Sequence, residues 1–274
     1  MTQVAIQGEI GAFSHEAALK LLPGSSIVPC ALSADVFAAL SDRQVDAAVV
    51  PIENSLAGSV IEHFDLLLLH DVVIVEETLL RIRHNLIALP GVALRQIATV
   101  YSHPVALAQC RRFFADHPGI RASAFYDTAG SVKHLAETGN RQAGAIASSH
   151  AAQQYGAEIL AAGMEDNPEN YTRFFLLRRR ADALPAADAN KLSLAFSVEN
   201  EPGSLVQALH HLAAQGTNLT KIESRPVPGR PWEYIFYVDC QLAHPAAAER
   251  VLTALAGHCA MVRELGRYRE ASGD

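Results

Sequence analysis

The sequence predicts an α/β catalytic region followed by a smaller α+β domain, and three observations carry this prediction. Through residues 1–180, short runs rich in β-branched residues alternate with helix-length segments, as in α/β proteins. Residues 178–191 lose this periodicity and gather charge, alanine and proline, which is typical of a linker between domains. Beyond the linker, strand-like and helix-like segments follow in the order βαββαβ.

The first region begins with a strand over Val4–Gln7, a glycine loop and a helix from about Ser14. Further apolar runs, most of them bounded by Gly, Pro, Ser or Asp, occupy residues 26–29, 47–50, 72–76, 86–89, 97–101, 122–125 and 143–147. Because these runs are almost continuously apolar, we expect sheet structure that helices cover on both faces. A helix rich in alanine is expected to precede residue 165.

The second region predicts a ferredoxin-like arrangement. Strands are expected over 192–198, 218–226 and 232–240 and near Met261, and helices over Gly203–Gln215 and near Ala246–Leu255.

Composition excludes several classes of protein. A formal net charge of -7 leaves no basic stripe for nucleic acid, and charged or polar residues interrupt every apolar stretch well before it could span a membrane. The N-terminus lacks the basic-then-apolar layout of a signal peptide, and four separated cysteines without a CxxC pair fit reduced thiols. We therefore expect a cytoplasmic protein.

Common catalytic motifs are missing from the sequence. His15-Glu16 lacks the second histidine of a HExxH zinc site, and Gly8-Glu9-Ile10-Gly11 does not complete a GxGxxG. No GxSxG elbow or GxxxxGK[ST] loop is present either. These absences weaken an interpretation as a zinc protease, a hydrolase, an NTPase or a dinucleotide-binding protein.

Small polar residues follow three predicted strands, at 51–55, 102–104 and 127–131. Ligands of α/β sheets bind where strands end and helices begin, and neutral donors at several such junctions suit a small carboxylate ligand. Taken singly, Ser102, Thr128 and Ser149 have a simpler interpretation as helix N-caps, worth about 1 kcal/mol each.

Five segments carry a resemblance to a known family. They are GEIGAFSHEAAL (8–19), VPIENSLAGSV (50–60), SHPVALAQC (102–110), DTAGSV (127–132) and AAQQYGAEILAAGMEDNPENYTRFFLL (151–177). In this order they resemble the prephenate dehydratase family. EPGSLVQAL (201–209) and NLTKIESRPVPGRPWEY (218–234) resemble the ACT regulatory domain of the same enzymes. Because the first motif begins almost at Met1, a monofunctional enzyme without a chorismate mutase segment is expected.

The resemblance implies a domain plan. Residues 1–180 would form a two-lobed catalytic domain similar to type II periplasmic binding proteins, with lobe 1 at about 1–79 plus 170–180 and lobe 2 at about 80–169. A linker (181–190), an ACT domain (191–268) and a tail (269–274) would follow.

The resemblance also implies the chemistry and the site. The enzyme would convert prephenate to phenylpyruvate, carbon dioxide and water, with Thr172 as the principal catalytic hydroxyl. Because aromatisation would drive this reaction, the resemblance implies neither a metal nor a cofactor. The pocket would be lined by Asn54, Ser55, Ser102, His103, Thr128, Asn170, Arg173 and Phe174. His103 could act on a proton or only make local hydrogen bonds, and Arg173 could bind a substrate carboxylate or brace Glu53 or Asp166.

Regulation is implied as well. L-Phenylalanine would bind at Gly203, Ser204, Leu205, Asn218, Leu219, Glu223, Ser224, Arg225 and Pro226, between ACT domains paired in a dimer or tetramer. Two departures from the family pattern, Val105 and Ser204, affect the pocket wall and the effector motif. The simpler interpretation of Glu223 and Arg225 is an exposed cross-strand ion pair.

Two alternative functions stay open at this point. An arogenate dehydratase would use the same fold on a substrate that carries an amino group. A noncatalytic amino-acid sensor or solute-binding protein would close a similar cleft on its ligand without turnover.

Overall fold

A computed structural model describes residues 1–184, 186–227, 230 and 232–271. Parts of three predicted segments therefore lie outside the described residues: position 185 of the linker, positions 228, 229 and 231 of the effector motif, and positions 272–274 of the tail. The chain separates into two compact units. Among the described residues, the first contains Met1–His63 and Thr78–Phe174, and the second contains Phe64–Glu77 and the chain from Phe175 to Ala271.

Strands and helices alternate along the first two thirds of the chain. In order they are β1 (Gln3–Gln7), α1 (Phe13–Leu21), β2 (Ser26–Cys30), α2 (Ser33–Ser41), β3 (Ala47–Asn54), β4 (Gly58–Ser59), α3 (Ile61–Leu69), β5 (Val72–Arg81), β6 (Asn85–Ala88), β7 (Thr99–Ser102), α4 (Pro104–Ala108), α5 (Arg111–Asp116), β8 (Arg121–Ala124), α6 (Thr128–Thr138), β9 (Ala143–Ala147), α7 (Ser149–Gln154), β10 (Glu158–Ala161) and β11 (Tyr171–Arg179). The remaining elements are β12 (Lys191–Ser197), α8 (Ser204–Ala214), β13 (Asn218–Pro226), β14 (Tyr234–Gln241), α9 (Ala247–Ala256) and β15 (Met261–Tyr268). Short 3-10 turns cover Leu94–Gln96 and Arg180–Asp182.

The first unit is built on two sheets. In one, the order is β11-β3-β1-β2 with β4 beside β3, and β1 runs parallel to both of its neighbours. In the other, the order is β10-β6-β9-β7-β8. We call the residues around the first sheet, 1–63 and 171–174, lobe A, and those around the second sheet, 85–161, lobe B. The predicted α/β class is confirmed.

The apolar runs form the cores of the two lobes. In lobe A, β1 and β3 bury Val4, Ile6 and Val49 completely, because strands covered on both faces exclude water from successive side chains. In lobe B, α6 packs on β9 through Ala129, Val132 and other small or branched residues. Small side chains allow a helix to approach a sheet closely.

The Ala-rich segment before residue 165 differs from the prediction. The helix α7 ends at Gln154, and Glu158–Ala161 form the edge strand β10, antiparallel to β6. Three of the four residues of β10 are exposed, so the strand lacks the apolar signal of a buried one, and pairing with β6 overrides the helical preference of alanine.

The capping interpretation of Ser102, Thr128 and Ser149 is wrong by one residue in each case. The N-caps are His103, Asp127 and Ser148, whose side chains accept hydrogen bonds from the backbone N–H groups of Val105, Gly130 and Ala151. Capping a free N–H needs an acceptor just outside the first helical turn.

The second unit contains the predicted βαββαβ elements. The sheet order is β13-β14-β12-β15-β5; neighbouring strands are antiparallel except β15 and β5, which are parallel. Leu194 pairs with Val238 across β12 and β14, and both belong to the apolar core beneath α8 and α9. Gly266 permits the approach of β15 to β5, since a Cβ there would lie 2.3 Å from the Ile74 carbonyl oxygen. Over the described part of the chain, no helix combines the length and apolarity required to traverse a bilayer.

Candidate active site

A cavity of about 470 Å³ lies between lobes A and B of the first unit. Its walls come from the loop after β1, the turn between β3 and β4, the N-terminal end of α4, the start of α6 and the start of β11. Five of the predicted site residues line it: Asn54, His103, Thr128, Thr172 and Phe174. These five residues come from four separate segments of the chain, which the fold brings to one cavity.

Four other predicted site residues are not among the residues that line this cavity. Ser102 is fully buried and its hydroxyl donates to the Ile146 carbonyl at 2.6 Å. The Ser55 hydroxyl donates to the Glu169 carbonyl and accepts from the Tyr171 N–H, both at 3.0 Å. Both serines therefore fix backbone near the cavity.

The other two, Asn170 and Arg173, flank Thr172. Asn170 is buried beneath the cavity wall and joins its amide network. The Arg173 guanidinium lies 4.0 Å from the Glu53 carboxylate and is mostly buried. This ion pair favours the bracing role for Arg173. The Asp166 carboxylate accepts the backbone N–H groups of Arg111 and Arg112.

The orientation of the Asn54 amide decides what the Thr172 hydroxyl can do. Asn54 Oδ1 accepts the backbone N–H groups of Leu56 at 3.0 Å and Ala57 at 2.8 Å. Backbone N–H groups can only donate, so the NH₂ group must point the other way, where it donates to Thr172 Oγ1 at 2.9 Å. The Thr172 oxygen is therefore an acceptor from Asn54, and its own proton is available to a ligand in the cavity.

Gln109 and His84 line the cavity and are not among the residues predicted from the sequence. Gln109 Oε1 accepts from Asn170 Nδ2 at 2.9 Å and lies 2.8 Å from His84 Nε2. Gln109 stands in the SHPVALAQC segment, so the motif itself was the signal for it. His84 stands in no quoted motif.

A polar cluster joins the lobes at the cavity mouth. The Glu9 carboxylate in lobe A accepts the Tyr126 hydroxyl at 2.8 Å and the Lys133 ammonium at 3.0 Å. Tyr126 is largely exposed, but partial desolvation and its hydrogen bond to Glu9 raise its pKa, so this hydroxyl stays a donor at neutral pH. Burial also raises the pKa of Asp127, which its hydrogen bond from Gly130 opposes.

His103 has a local hydrogen-bonding role in the structure. Its Nδ1 accepts the Val105 N–H at 3.3 Å, and desolvation lowers its pKa against the opposing effect of Asp127. A neutral imidazole is the form consistent with this acceptor role.

Glycines allow the lobes to meet closely. Gly11 has φ +93°, and a Cβ there would lie 2.8 Å from Ala151 Cα of lobe B. Ser148, the cap of α7, donates to the Gly11 carbonyl at 2.7 Å. Both contacts hold the start of α1 against the start of α7.

The electrostatic character of the cavity is unusual for a site that would bind an anion. Among the described residues that line it, none is Lys or Arg, whereas Glu62 and Asp127 are acidic. Neutral donors such as the hydroxyls of Thr172 and Thr128 are the polar groups available to a ligand carboxylate or hydroxyl. This arrangement can position a small polar molecule and donate hydrogen bonds to a leaving oxygen.

Comparison with known proteins agrees with this geometry. A family model described as prephenate dehydratase matches residues 4–182. The chain belongs to the prephenate dehydratase family. It is 41% identical over 290 residues to arogenate dehydratase 2 of Petunia hybrida, covering 99% of this chain and 72% of that protein. It is 40% identical over 276 residues to arogenate dehydratase/prephenate dehydratase 2 of Arabidopsis thaliana, covering 97% and 72%.

Two solved structures are similar to this chain over nearly its whole length. Prephenate dehydratase from Arthrobacter aurescens, solved in complex with L-Phe, superimposes with a TM-score of 0.89 at 31% identity, covering 98% of this chain and 90% of that one. A protein described as GqqA, a novel type of quorum quenching acylase, gives a TM-score of 0.89 at 34% identity and covers 98% of both chains. The match to the family model and the identity to plant arogenate dehydratases make the chain a dehydratase-family enzyme of phenylalanine biosynthesis.

The predicted effector residues lie in the second unit. Gly203, Ser204 and Leu205 begin α8, Asn218 and Leu219 begin β13, and Glu223, Ser224, Arg225 and Pro226 end β13. This strand is the edge of its sheet.

The ion-pair interpretation of Glu223 and Arg225 needs a correction of partners. The Arg225 guanidinium contacts the Asp65 carboxylate on α3 at 2.8 Å, and Glu223 lies 3.9 Å from the Lys221 ammonium. The partner of Arg225 therefore lies on α3, and Glu223 has Lys221 as a neighbour two positions earlier on β13.

Proposed function

We propose that the enzyme converts prephenate to phenylpyruvate, carbon dioxide and water in the cavity between lobes A and B. The observation that carries this proposal is the Thr172 hydroxyl, which Asn54 engages as an acceptor at 2.9 Å while the threonine lines the cavity. Its proton is thereby free for the departing hydroxyl of the substrate.

The bond changes balance without any redox partner. The bond between the ring and its carboxylate breaks and releases carbon dioxide, and the electron pair of that bond enters the ring as the hydroxyl leaves. The hydroxide takes up one proton from solvent to become water, and the aromatic ring of phenylpyruvate results. Because the ring gains aromaticity, the enzyme needs to position the substrate and stabilise the leaving oxygen.

Thr172 fits leaving-group stabilisation by hydrogen bonding. A preorganised donor of this kind lowers a barrier by roughly 3–4 kcal/mol. Thr128 and the backbone around the cavity would hold the carboxylates, and Phe174 would offer an apolar face to the ring. His103 would stay neutral and shape the wall near Val105.

The test is a direct assay. The purified enzyme is incubated with prephenate, and phenylpyruvate formation is followed by absorbance with product identification by mass spectrometry. Turnover with release of carbon dioxide supports the proposal, and binding of prephenate without turnover would refute it.

Arogenate is the second candidate substrate, and the acidic lining favours it. Arogenate carries an ammonium group where prephenate has a keto oxygen, and Glu62 and Asp127 line the cavity without a described Lys or Arg. Several relatives are named arogenate dehydratase. Comparing kcat/KM for both substrates separates the two, and Glu62→Gln should reduce arogenate turnover more than prephenate turnover if the ammonium contacts this carboxylate.

We also propose that L-phenylalanine inhibits the enzyme through the second unit. A relative has been solved with L-Phe, and the effector residues of this chain begin α8 and end β13. The exposed edge strand β13 supports pairing of two copies as a dimer or tetramer. We also propose that the enzyme is cytoplasmic. Inhibition kinetics with phenylalanine test the regulatory role, and light scattering with and without phenylalanine tests the oligomeric state. Binding of phenylalanine that leaves turnover unchanged would refute the regulatory role.

A further inference from the structure

His84 is a buried histidine at the wall of the cavity that the chemistry above does not use. Only 2% of the surface of His84 is exposed to solvent, and its ring lies edge-on to the Phe13 ring with 5.7 Å between the ring centroids. Nε2 is 2.8 Å from Gln109 Oε1, while Nδ1 has no hydrogen-bond partner among the described residues. Its one side-chain hydrogen bond therefore connects this buried ring to Gln109.

The surrounding amides fix the direction of that hydrogen bond. Asn54 Oδ1 is held as an acceptor by the backbone N–H groups of Leu56 and Ala57, so the Gln109 atom 3.3 Å from it must be the NH₂ nitrogen. Gln109 Oε1 therefore faces Asn170 Nδ2 and His84 Nε2. The assignment of both amides follows from the fixed backbone donors.

His84 must consequently donate from Nε2. An amide oxygen can only accept, so the neutral ring carries its proton on Nε2 and keeps a lone pair on Nδ1. Desolvation lowers the pKa of His84, although its bond to Gln109 and the nearby Glu165 oppose this. Glu165, whose carboxylate accepts the His84 backbone N–H at 2.9 Å, is the charged group facing it.

A continuous hydrogen-bonded path results. It runs from His84 Nε2 to Gln109 Oε1, from Gln109 Nε2 to Asn54 Oδ1, and from Asn54 Nδ2 to Thr172 Oγ1, over 2.8 Å, 3.3 Å and 2.9 Å. Every step has one donor and one acceptor. If the Gln109 side-chain amide rotated by 180°, its oxygen would face Asn54 Oδ1. The repulsion between the two oxygens would displace the Asn54 amide, which donates to Thr172.

We propose that His84 is a positioning residue for the reaction: together with Asn170, which donates to the same oxygen, it holds the Gln109 amide in the orientation that keeps Asn54 donating to Thr172. This inference rests on the proposed function of Thr172. His84 acts through Gln109 and Asn54 and does not itself need to touch the substrate.

The chain offers a matched set of variants. Gln at position 84 places an amide NH₂ near the position of Nε2, whereas Asn places one near Nδ1. We expect His84→Asn to lower kcat by about tenfold or more with KM changed less than about threefold, and His84→Gln to retain kcat within about threefold. His117→Asn is the control, because His117 bonds the Phe113 carbonyl in lobe B and does not line the cavity.

A role limited to packing against Phe13 predicts a different result. Neither Asn nor Gln reproduces the ring, so a packing role would impair both variants alike and would be accompanied by a lower melting temperature. Equal loss in both variants, or normal kcat in folded His84→Asn, overturns the proposal.

A double-mutant cycle tests the path itself. If His84 acts through Gln109, His84→Asn should add less than about a twofold loss in a Gln109→Ala background. Full additivity of the two losses overturns the proposed path.

A measurement on the unmutated enzyme keeps the test independent of folding and of turnover. Long-range ¹H–¹⁵N correlation spectra of the histidine rings should give the Nε2–H tautomer for His84 at pH 7.5. An Nδ1–H tautomer overturns the proposal. If the enzyme turns over neither prephenate nor arogenate, the proposed function fails, while the tautomer still decides the orientation of Gln109.

Discussion

Replacing Asn54 by Asp should reverse the hydrogen bond that prepares Thr172 for chemistry. The side chains have nearly the same shape, and Oδ1 can still accept the backbone N–H groups of Leu56 and Ala57 at 3.0 and 2.8 Å. The second carboxylate oxygen, however, replaces the NH₂ group 2.9 Å from Thr172 Oγ1. An ionised carboxylate can only accept, so the threonine proton turns toward residue 54 and is withdrawn from the cavity.

The magnitude follows from the bonds that change. Loss of one preorganised donor to the leaving oxygen costs roughly 3–4 kcal/mol of barrier stabilisation, or on the order of 10²–10³-fold in kcat. The same substitution removes donors to Asn170 Oδ1 at 2.8 Å and to the Tyr171 carbonyl at 3.1 Å. The Tyr171 carbonyl keeps the Ser55 N–H as a donor at 2.8 Å, but buried Asn170 Oδ1 loses its donor, which should lower the free energy of unfolding by about 1–3 kcal/mol.

Steady-state kinetics with prephenate and urea denaturation measure the two effects separately. Asn140→Asp is the matched control, since Asn140 is exposed and its Oδ1 accepts the Gln142 N–H. It introduces the same charge and should keep kcat within about twofold of the unchanged enzyme. A folded Asn54→Asp enzyme with kcat within about threefold of the original would refute the reasoning about the donor direction.

Three further predictions concern the lobes and the buried histidines. Tyr126→Phe removes the 2.8 Å hydrogen bond to Glu9. Because this bond contributes about 1 kcal/mol to the contact between the lobes, the variant should raise KM by about three- to tenfold with little change in kcat. An unchanged KM would contradict this prediction. Gly11→Ala adds a Cβ 2.8 Å from Ala151 Cα at φ +93° and should lower the free energy of unfolding by about 2 kcal/mol or more. The control Gly24→Ala, at φ +78° with no neighbour within 4 Å of the new Cβ, should lower it by only about 1 kcal/mol. Equal losses for the two variants in urea denaturation would contradict the role of the contact with Ala151. Burial lowers the pKa values of His15, His63 and His84 below 6.5 in the folded state. The unfolded chain therefore binds more protons as the pH falls through about 6.5, and the unfolding free energy should decrease below that pH by up to about 1.4 kcal/mol per pH unit for each histidine. A stability that stays constant between pH 7.5 and pH 5.5 would contradict the assignment of neutral rings.

Strand periodicity predicts more of the site than the sequence analysis took from it. Side chains alternate between the two faces of a strand, so Thr172 and Phe174 of β11 share one face and Arg173 points to the other. The structure places the first two at the cavity and Arg173 beside Glu53. A motif of three adjacent residues therefore contributes two residues to the cavity wall.

Long buried runs were predictable because burial leaves a strong apolar signal. β1, β3 and β9 are continuous apolar segments, and each was expected within a few residues of its observed bounds. β10 was missed because it has only four residues, and its exposed edge position permits Glu158 and Ala161, which carry no strand signal, beside Ile159 and Leu160.

The orientation of polar groups could not be predicted from the sequence. Asn54 and Gln109 both stand in quoted motifs, yet which atom of each amide faces Thr172 depends on backbone donors at Leu56 and Ala57. His84 reaches Gln109 from 25 positions away in the chain. Such contacts are set by tertiary structure, and no local pattern encodes them.

The most direct test of the central claim is the kcat of Thr172→Val beside that of Thr172→Ser. Valine keeps the shape of the buried threonine and removes only its hydroxyl, while serine keeps the hydroxyl. The account predicts a loss on the order of 10²-fold or more for the valine variant and less than about tenfold for the serine variant. A folded Thr172→Val enzyme that turns over prephenate at the original rate would contradict it.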